Sequence, residues 1–239
     1  QLLGQAPITY DFLMDLVDGY AEMGFSKQAV VTYLYALDSE KQKSRREKIF
    51  LPLVRLYRGQ KKYEHVRSYA ADYLKQFPQG ADRAEIVCHY AEAAYAEGDF
   101  KEAIRILEEN QGVESAALHR LAGDAFFASG VYGLAKDRYA KAAEAWQGAV
   151  PAEIRFKQAE AGFNAGAAAE AMPLYRSLLE APDYADQAGY RLIQLYVREG
   201  RGKDAADLYK RLSEMELDSP WLKLAKETVS VQNAIHGSP

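Results

Sequence analysis

One phrase returns six times along this chain: a turn-forming residue, then Ala or Val five positions on, then usually an aromatic or Leu four positions later. The instances are Gly24–Ala29–Tyr33, Lys61–Val66–Ala70, Gly98–Ala103–Leu107, Gly130–Ala135–Tyr139, Gly166–Ala171–Tyr175 and Gly200–Ala205–Tyr209. The leading residues lie 37, 37, 32, 36 and 34 positions apart. A period in this range predicts stacked helical hairpins, each touching only its neighbours.

Each unit reads as a pair of helices of about 12 to 16 residues joined by a tight turn, rich in Ala, Leu, Glu, Lys and Arg, which favour helix. A glycine at the turn accepts the positive φ that ends a helix. The alanines five positions on let the backbones of a hairpin approach, and Val66 is expected to hold its hairpin slightly apart. Pro78, Pro182 and Pro220 fall after second helices, where they stop continuation. Pro173 is expected near the start of a second helix, where a missing N–H costs little. No β-hairpin signature separates alternating apolar runs. Hydrophobic residues make up 49% of the 239, enough for a packed interior.

The register of these residues resembles the tetratricopeptide repeat. Unit four carries Gly123, Phe126, Gly130, Tyr132, Ala135, Tyr139 and Ala142 at the family's motif positions. Unit one supplies Leu13, Leu16, Tyr20, Gly24, Ala29 and Tyr33, and unit six Leu192, Tyr196, Gly200, Ala205 and Tyr209. Unit two departs at Lys61, and unit five is the poorest, with Arg155 and Gly162 where large apolar residues belong. The resemblance implies an all-α, right-handed superhelical solenoid of about six antiparallel helix hairpins with a C-terminal capping helix. It places the repeats at about 9–43, 44–80, 81–113, 114–150, 151–182 and 183–217, and the cap, opened by Ser219-Pro220-Trp221, at 219–234.

In that family the first helices line a concave face that takes a peptide or protein segment. Carried over, the binding row is Tyr95, Phe127 and Phe163 with Glu92, Asp124 and Glu160 beside them and Arg120 on the same face. Aromatic anchors would supply affinity and the carboxylates would select a partner with basic residues. Alternatively, the aromatics pack between neighbouring first helices and the carboxylates only solvate the surface.

Unit two is electrostatically different. Residues 39–67 hold ten basic side chains against three acidic ones, so the remainder of a chain of net charge −4 carries −11. Lys48, Arg55 and Arg58 mark this basic patch, read as a second partner site, an acidic-lipid surface, a self-association surface, or a solvated turn. Nucleic acid is not an expected partner, because the tyrosines of this unit fall at core positions.

No chemistry emerges. His65, His89, His119 and His236 lack the spacing that aims two ligands at one metal. Cys88 is the one cysteine, and no phosphate loop or nucleophile elbow occurs. No cofactor is implied and the chain is not expected to be an enzyme. No apolar run reaches the ~18 residues of a membrane span. The start at Gln1 shows no leader, so the chain is expected to be cut from a longer or processed polypeptide. The stretch Gln76-Phe77-Pro78-Gln79-Gly80-Ala81 resembles bacterial envelope repeats, which favours the periplasm or cell envelope over the cytoplasm. A scaffold is the expected role; the alternative is a docking, regulatory or self-assembling segment of an envelope machine or multidomain enzyme.

Overall fold

The structure is a computed structural model that describes residues 8–110, 112, 115–215 and 219–236. The tail from Gly237, the His236 side chain and the expected boundaries at 113–114 and 217 lie outside the described residues. Among the described residues there are thirteen α-helices and no strand. They fall into two compact units, residues 1–114 and 115–239. The first holds α1 (Tyr10–Glu22), α2 (Ser26–Ser39), α3 (Lys43–Gly59), α4 (Tyr63–Gln76), α5 (Arg83–Ala96) and α6 (Phe100–Glu109). The second holds α7 (Ala116–Ala128), α8 (Tyr132–Glu144), α9 (Ala152–Asn164), α10 (Ala168–Leu178), α11 (Ala185–Arg198), α12 (Gly202–Ser213) and α13 (Pro220–His236).

Consecutive helices pair as hairpins, and every hairpin turn has the same hydrogen bonding. In the first, Gly24 N donates to Ala21 O and Phe25 N to Tyr20 O, the paired closure that caps a helix through one left-handed residue. The second of these bonds recurs as Lys62–Tyr57, Asp99–Ala94, Val131–Phe126, Ala167–Gly162 and Arg201–Tyr196, at 2.8 to 3.0 Å. The left-handed residue is a glycine at φ between 72° and 79° in five turns. In the α3–α4 turn it is Lys61, at φ 56°, the one non-glycine residue with positive φ among the described residues. The turn geometry is therefore retained where the glycine is lost.

Each hairpin closes on its small residue. Ala29, Ala103, Ala135, Ala171 and Ala205 are fully buried, as is Val66. Gly123 on α7 lies flush on the Tyr139 ring, since a Cβ there would stand 2.6 Å from the nearest ring carbon. In the fifth hairpin Gly162 meets Ala171, 3.5 Å from where its Cβ would be, so that pair crosses through two small residues. The aromatic missing from Gly162 is supplied by Phe156, whose ring packs edge-on to Tyr175 at 6.3 Å and against Tyr184 at 5.1 Å. In the first unit Phe50, Tyr73 and Phe77 form a triangle of rings 5.3 to 5.8 Å apart.

Two expectations are corrected. Pro173 is the sixth residue of α10, past the first turn, so it removes the hydrogen bond to the Ala169 carbonyl. Helix lengths also spread beyond the expected range, from 10 residues in α6 to 17 in α3, which accommodates Pro52 in its interior. The closing helix forms as expected: Ser219 Oγ accepts from Trp221 N at 3.1 Å, Pro220 takes the first helical position, and Ala225 and Val229 are buried. It exposes apolar residues of its own, Leu224, Val231 and Ile235.

Candidate protein-binding face

In the second unit the first helices of the hairpins are α7, α9 and α11. Helical spacing puts Arg120, Asp124 and Phe127 on one face of α7, and Glu153, Lys157 and Glu160 on one face of α9. Asp124 accepts from Tyr139 Oη at 2.7 Å, from Lys157 Nζ at 2.9 Å and from Arg120 Nη1 at 3.0 Å. Glu160 is built the same way one hairpin later. It accepts from Tyr175 Oη at 2.6 Å and takes both Nε and Nη2 of Arg191 at 2.8 Å.

Each of these carboxylates thus holds the tyrosine of its own hairpin and a cation of the next first helix. Their side chains are only 11% and 13% exposed, so the pairs are screened weakly from one another by solvent. Burial opposes the charge on Lys157, yet Asp124 and Glu153 outweigh it and raise its pKa. Arg191 is raised in the same manner, by Glu160 against burial. The phenol of Tyr175 is pushed far up by burial and by its bond to Glu160.

Phe127 and Phe163 are half-buried. Phe127 rests edge-on against Tyr132 of its own hairpin, centroids 5.1 Å apart. At the position equivalent to Tyr132, Phe163 meets Ala168 rather than a ring. Two guanidinium groups of α11 lie over its ring instead, Arg191 at 4.6 Å and Arg198 at 4.8 Å.

The first unit repeats the scheme with the charges arranged differently. Tyr95 is half-buried against Phe100, centroids 5.2 Å apart. Arg55 grips Glu85 with Nε and Nη2, both at 2.7 Å, and Arg58 Nε meets Glu92 at 2.9 Å. The buried His89 ring lies 3.3 Å from both carboxylates. Arg67 of α4 bonds Glu97 at 2.9 Å. Three of the ten basic side chains of residues 39–67, Arg55, Arg58 and Arg67, are thus paired with carboxylates of the following hairpin. Lys48 stays exposed. Between α3 and α5 an open depression of about 350 Å³ is lined by Arg55, Arg58, Lys61, Tyr63 and Glu92 among others.

The predicted row is thus distributed as Phe127 and Phe163 in one unit and Tyr95 in the other. The carboxylates Glu92, Asp124 and Glu160 are engaged by the chain's own cations. Lys157, Arg191 and Arg198 were not singled out by sequence reasoning. The available signal was that Lys157 and Arg191 recur 34 positions apart, one repeat after Asp124 and Glu160. Among the described residues no group of three His, Cys, Asp or Glu side chains is arranged to hold a metal ion.

No protein-family model matches the chain, and no curated protein matches its sequence. Solved structures match its fold. A tetratricopeptide repeat protein from Parabacteroides merdae aligns over 95% of this chain and 91% of its own, at 15% identity and a TM-score of 0.62. YrrB, described as a protein of that repeat with an unusual peptide-binding site, aligns over 75% of this chain and 91% of its own, at 17% identity and a TM-score of 0.64. PilW, a type IV pilus biogenesis factor, aligns over 91% and 98% at 15% identity and a TM-score of 0.56. The fold is that of the tetratricopeptide-repeat proteins.

Proposed function

We propose that this chain, a helical array of the tetratricopeptide-repeat fold, is a non-catalytic scaffold that takes a peptide or protein segment on its first-helix face. The anchors are Phe127 and Phe163 in the second unit; in the first unit, taken by itself, Tyr95 holds the equivalent position. One observation carries the reading: half-exposed rings sit on helices whose neighbouring charges are locked by Asp124–Lys157 and Glu160–Arg191. A locked face presents its rings without ordering cost, which favours binding. The partner brings apolar anchors. Its basic residues would meet Glu153, whose side chain is 53% exposed, before the enclosed Asp124 or Glu160. The peptide-binding site named for YrrB supports this use of the fold. Selection of a displayed peptide library on the protein tests it: enriched peptides carry large apolar residues and lose at least about tenfold in affinity for F127A/F163A. Enriched peptides that bind this double variant unchanged would refute the assignment.

A second reading is a docking or self-assembling segment of a larger machine, with the cell envelope as its setting. It is favoured by apolar side chains left exposed at both terminal helices, Phe12 and Met23 around α1 and Leu224, Val231 and Ile235 on α13. The pilus biogenesis role named for PilW agrees with that setting. Among the described residues no helix is long and apolar enough to cross a membrane.

A further inference from the structure

We propose that the depression at the α3–α4 turn is a second binding subsite, for an acidic peptide segment, distinct from the Phe127 and Phe163 anchors of the second unit. Its lining holds three cations, Arg55, Arg58 and Lys61, against one carboxylate, Glu92. Arg55 and Arg58 each have a carboxylate from α5. Among the described residues Lys61 has none, and it is exposed. Lys62 adds charge beside it, its ammonium 5.8 Å from the Tyr57 ring centroid. The site is therefore left with positive charge that the chain itself does not neutralise.

Lys61 supplies an independent observation. It occupies a left-handed position that glycine fills in the other five turns. A β-carbon there strains the backbone, and glycine would remove that strain. Strained residues are held by the surrounding fold and cluster at functional sites. Here that side chain lines the depression. The small walls Ala93 and Ala96 leave room between α3 and α5 for an incoming side chain. Arg55 already displays how the site holds a carboxylate, through two parallel bonds of 2.7 Å to Glu85. A run of Glu or Asp offers that same group repeatedly to Lys61 and to the outer edges of the two guanidiniums.

Fluorescence anisotropy of a labelled hexaglutamate peptide, with hexaglutamine as control, tests the assignment. Saturable binding of hexaglutamate alone is expected at about 50 mM salt, weakening at least about tenfold at about 300 mM. Lys61→Gly should lose about three- to fivefold in affinity while its melting temperature rises, since charge and strain leave together. Lys61→Gln should lose the same affinity without the thermal gain. A purely structural lysine would move stability and leave affinity alone. The proposal is overturned if hexaglutamate fails to bind or both Lys61 variants bind it as the parent does. It is equally overturned if the protein binds phosphatidylserine vesicles at the same salt but not the peptide.

Discussion

Glu160 and Arg191 face each other across consecutive hairpins through two hydrogen bonds of 2.8 Å, and the same Glu160 oxygen that receives Arg191 Nε also receives the buried Tyr175 hydroxyl. One carboxylate thereby joins α9, α10 and α11. The unit built on Asp124, Tyr139 and Lys157 repeats this joint one hairpin earlier. The array is held in register by polar joints at the first-helix face as well as by its apolar interior.

Removing the shared acceptor should therefore be costly. Glu160→Ala leaves Arg191 and the Tyr175 hydroxyl without their partner, and should destabilise the second unit by about 2 to 4 kcal/mol. Glu160→Ala combined with Arg191→Met should recover part of that loss, because no enclosed charge is then stranded. Urea unfolding of the three proteins reads both effects.

Gly123 sits where no β-carbon fits. Tyr139 is buried and its hydroxyl is tied to Asp124, so the ring cannot retreat from a new methyl. Gly123→Ala should cost about 1 to 3 kcal/mol despite alanine's better helix propensity. An unchanged denaturation midpoint would show that the ring has freedom the packing denies it.

Alkaline pH should loosen the first unit. Burial pushes the phenols of Tyr33 and Tyr73 up to about 12 from their ordinary 10.0, with Asp18 adding to the rise at Tyr33 and Glu47 to that at Tyr73. Both rings favour the neutral form when folded. Their contribution is complete below pH 10 and is lost as pH climbs through 12. Unfolding midpoints measured from pH 8 upward should fall across that window, and Tyr73→Phe should flatten the fall.

Much of this was legible in the sequence because the repeat imposes one local geometry many times. A glycine spaced by five from an alanine fixes a turn and a helix crossing, and the structure has both in every hairpin with that pair. Lys61 shows the limit in one direction: the surrounding helices enforce the turn even when the residue type argues against it. Pro173 shows it in the other, since the phrase locates a hairpin but not the residue at which its second helix begins. The ion pairs were hidden for a different reason. Register assigns Asp124 and Glu160 to a face but does not say that Lys157 and Arg191, on the first helix of the next hairpin, reach back to them. Likewise Glu92 stands in an acidic row of the sequence, and the cation that meets it, Arg58, comes from the preceding first helix.

The central claim is that Phe127 and Phe163 meet the partner, and fluorine NMR tests it most directly. Protein labelled with 4-fluorophenylalanine, its signals assigned by single Phe→Leu variants, would be titrated with a library-selected peptide. The Phe127 and Phe163 resonances should shift with one common saturation curve while that of the buried Phe50 stays in place. Saturation of the peptide with both resonances unmoved would contradict the account.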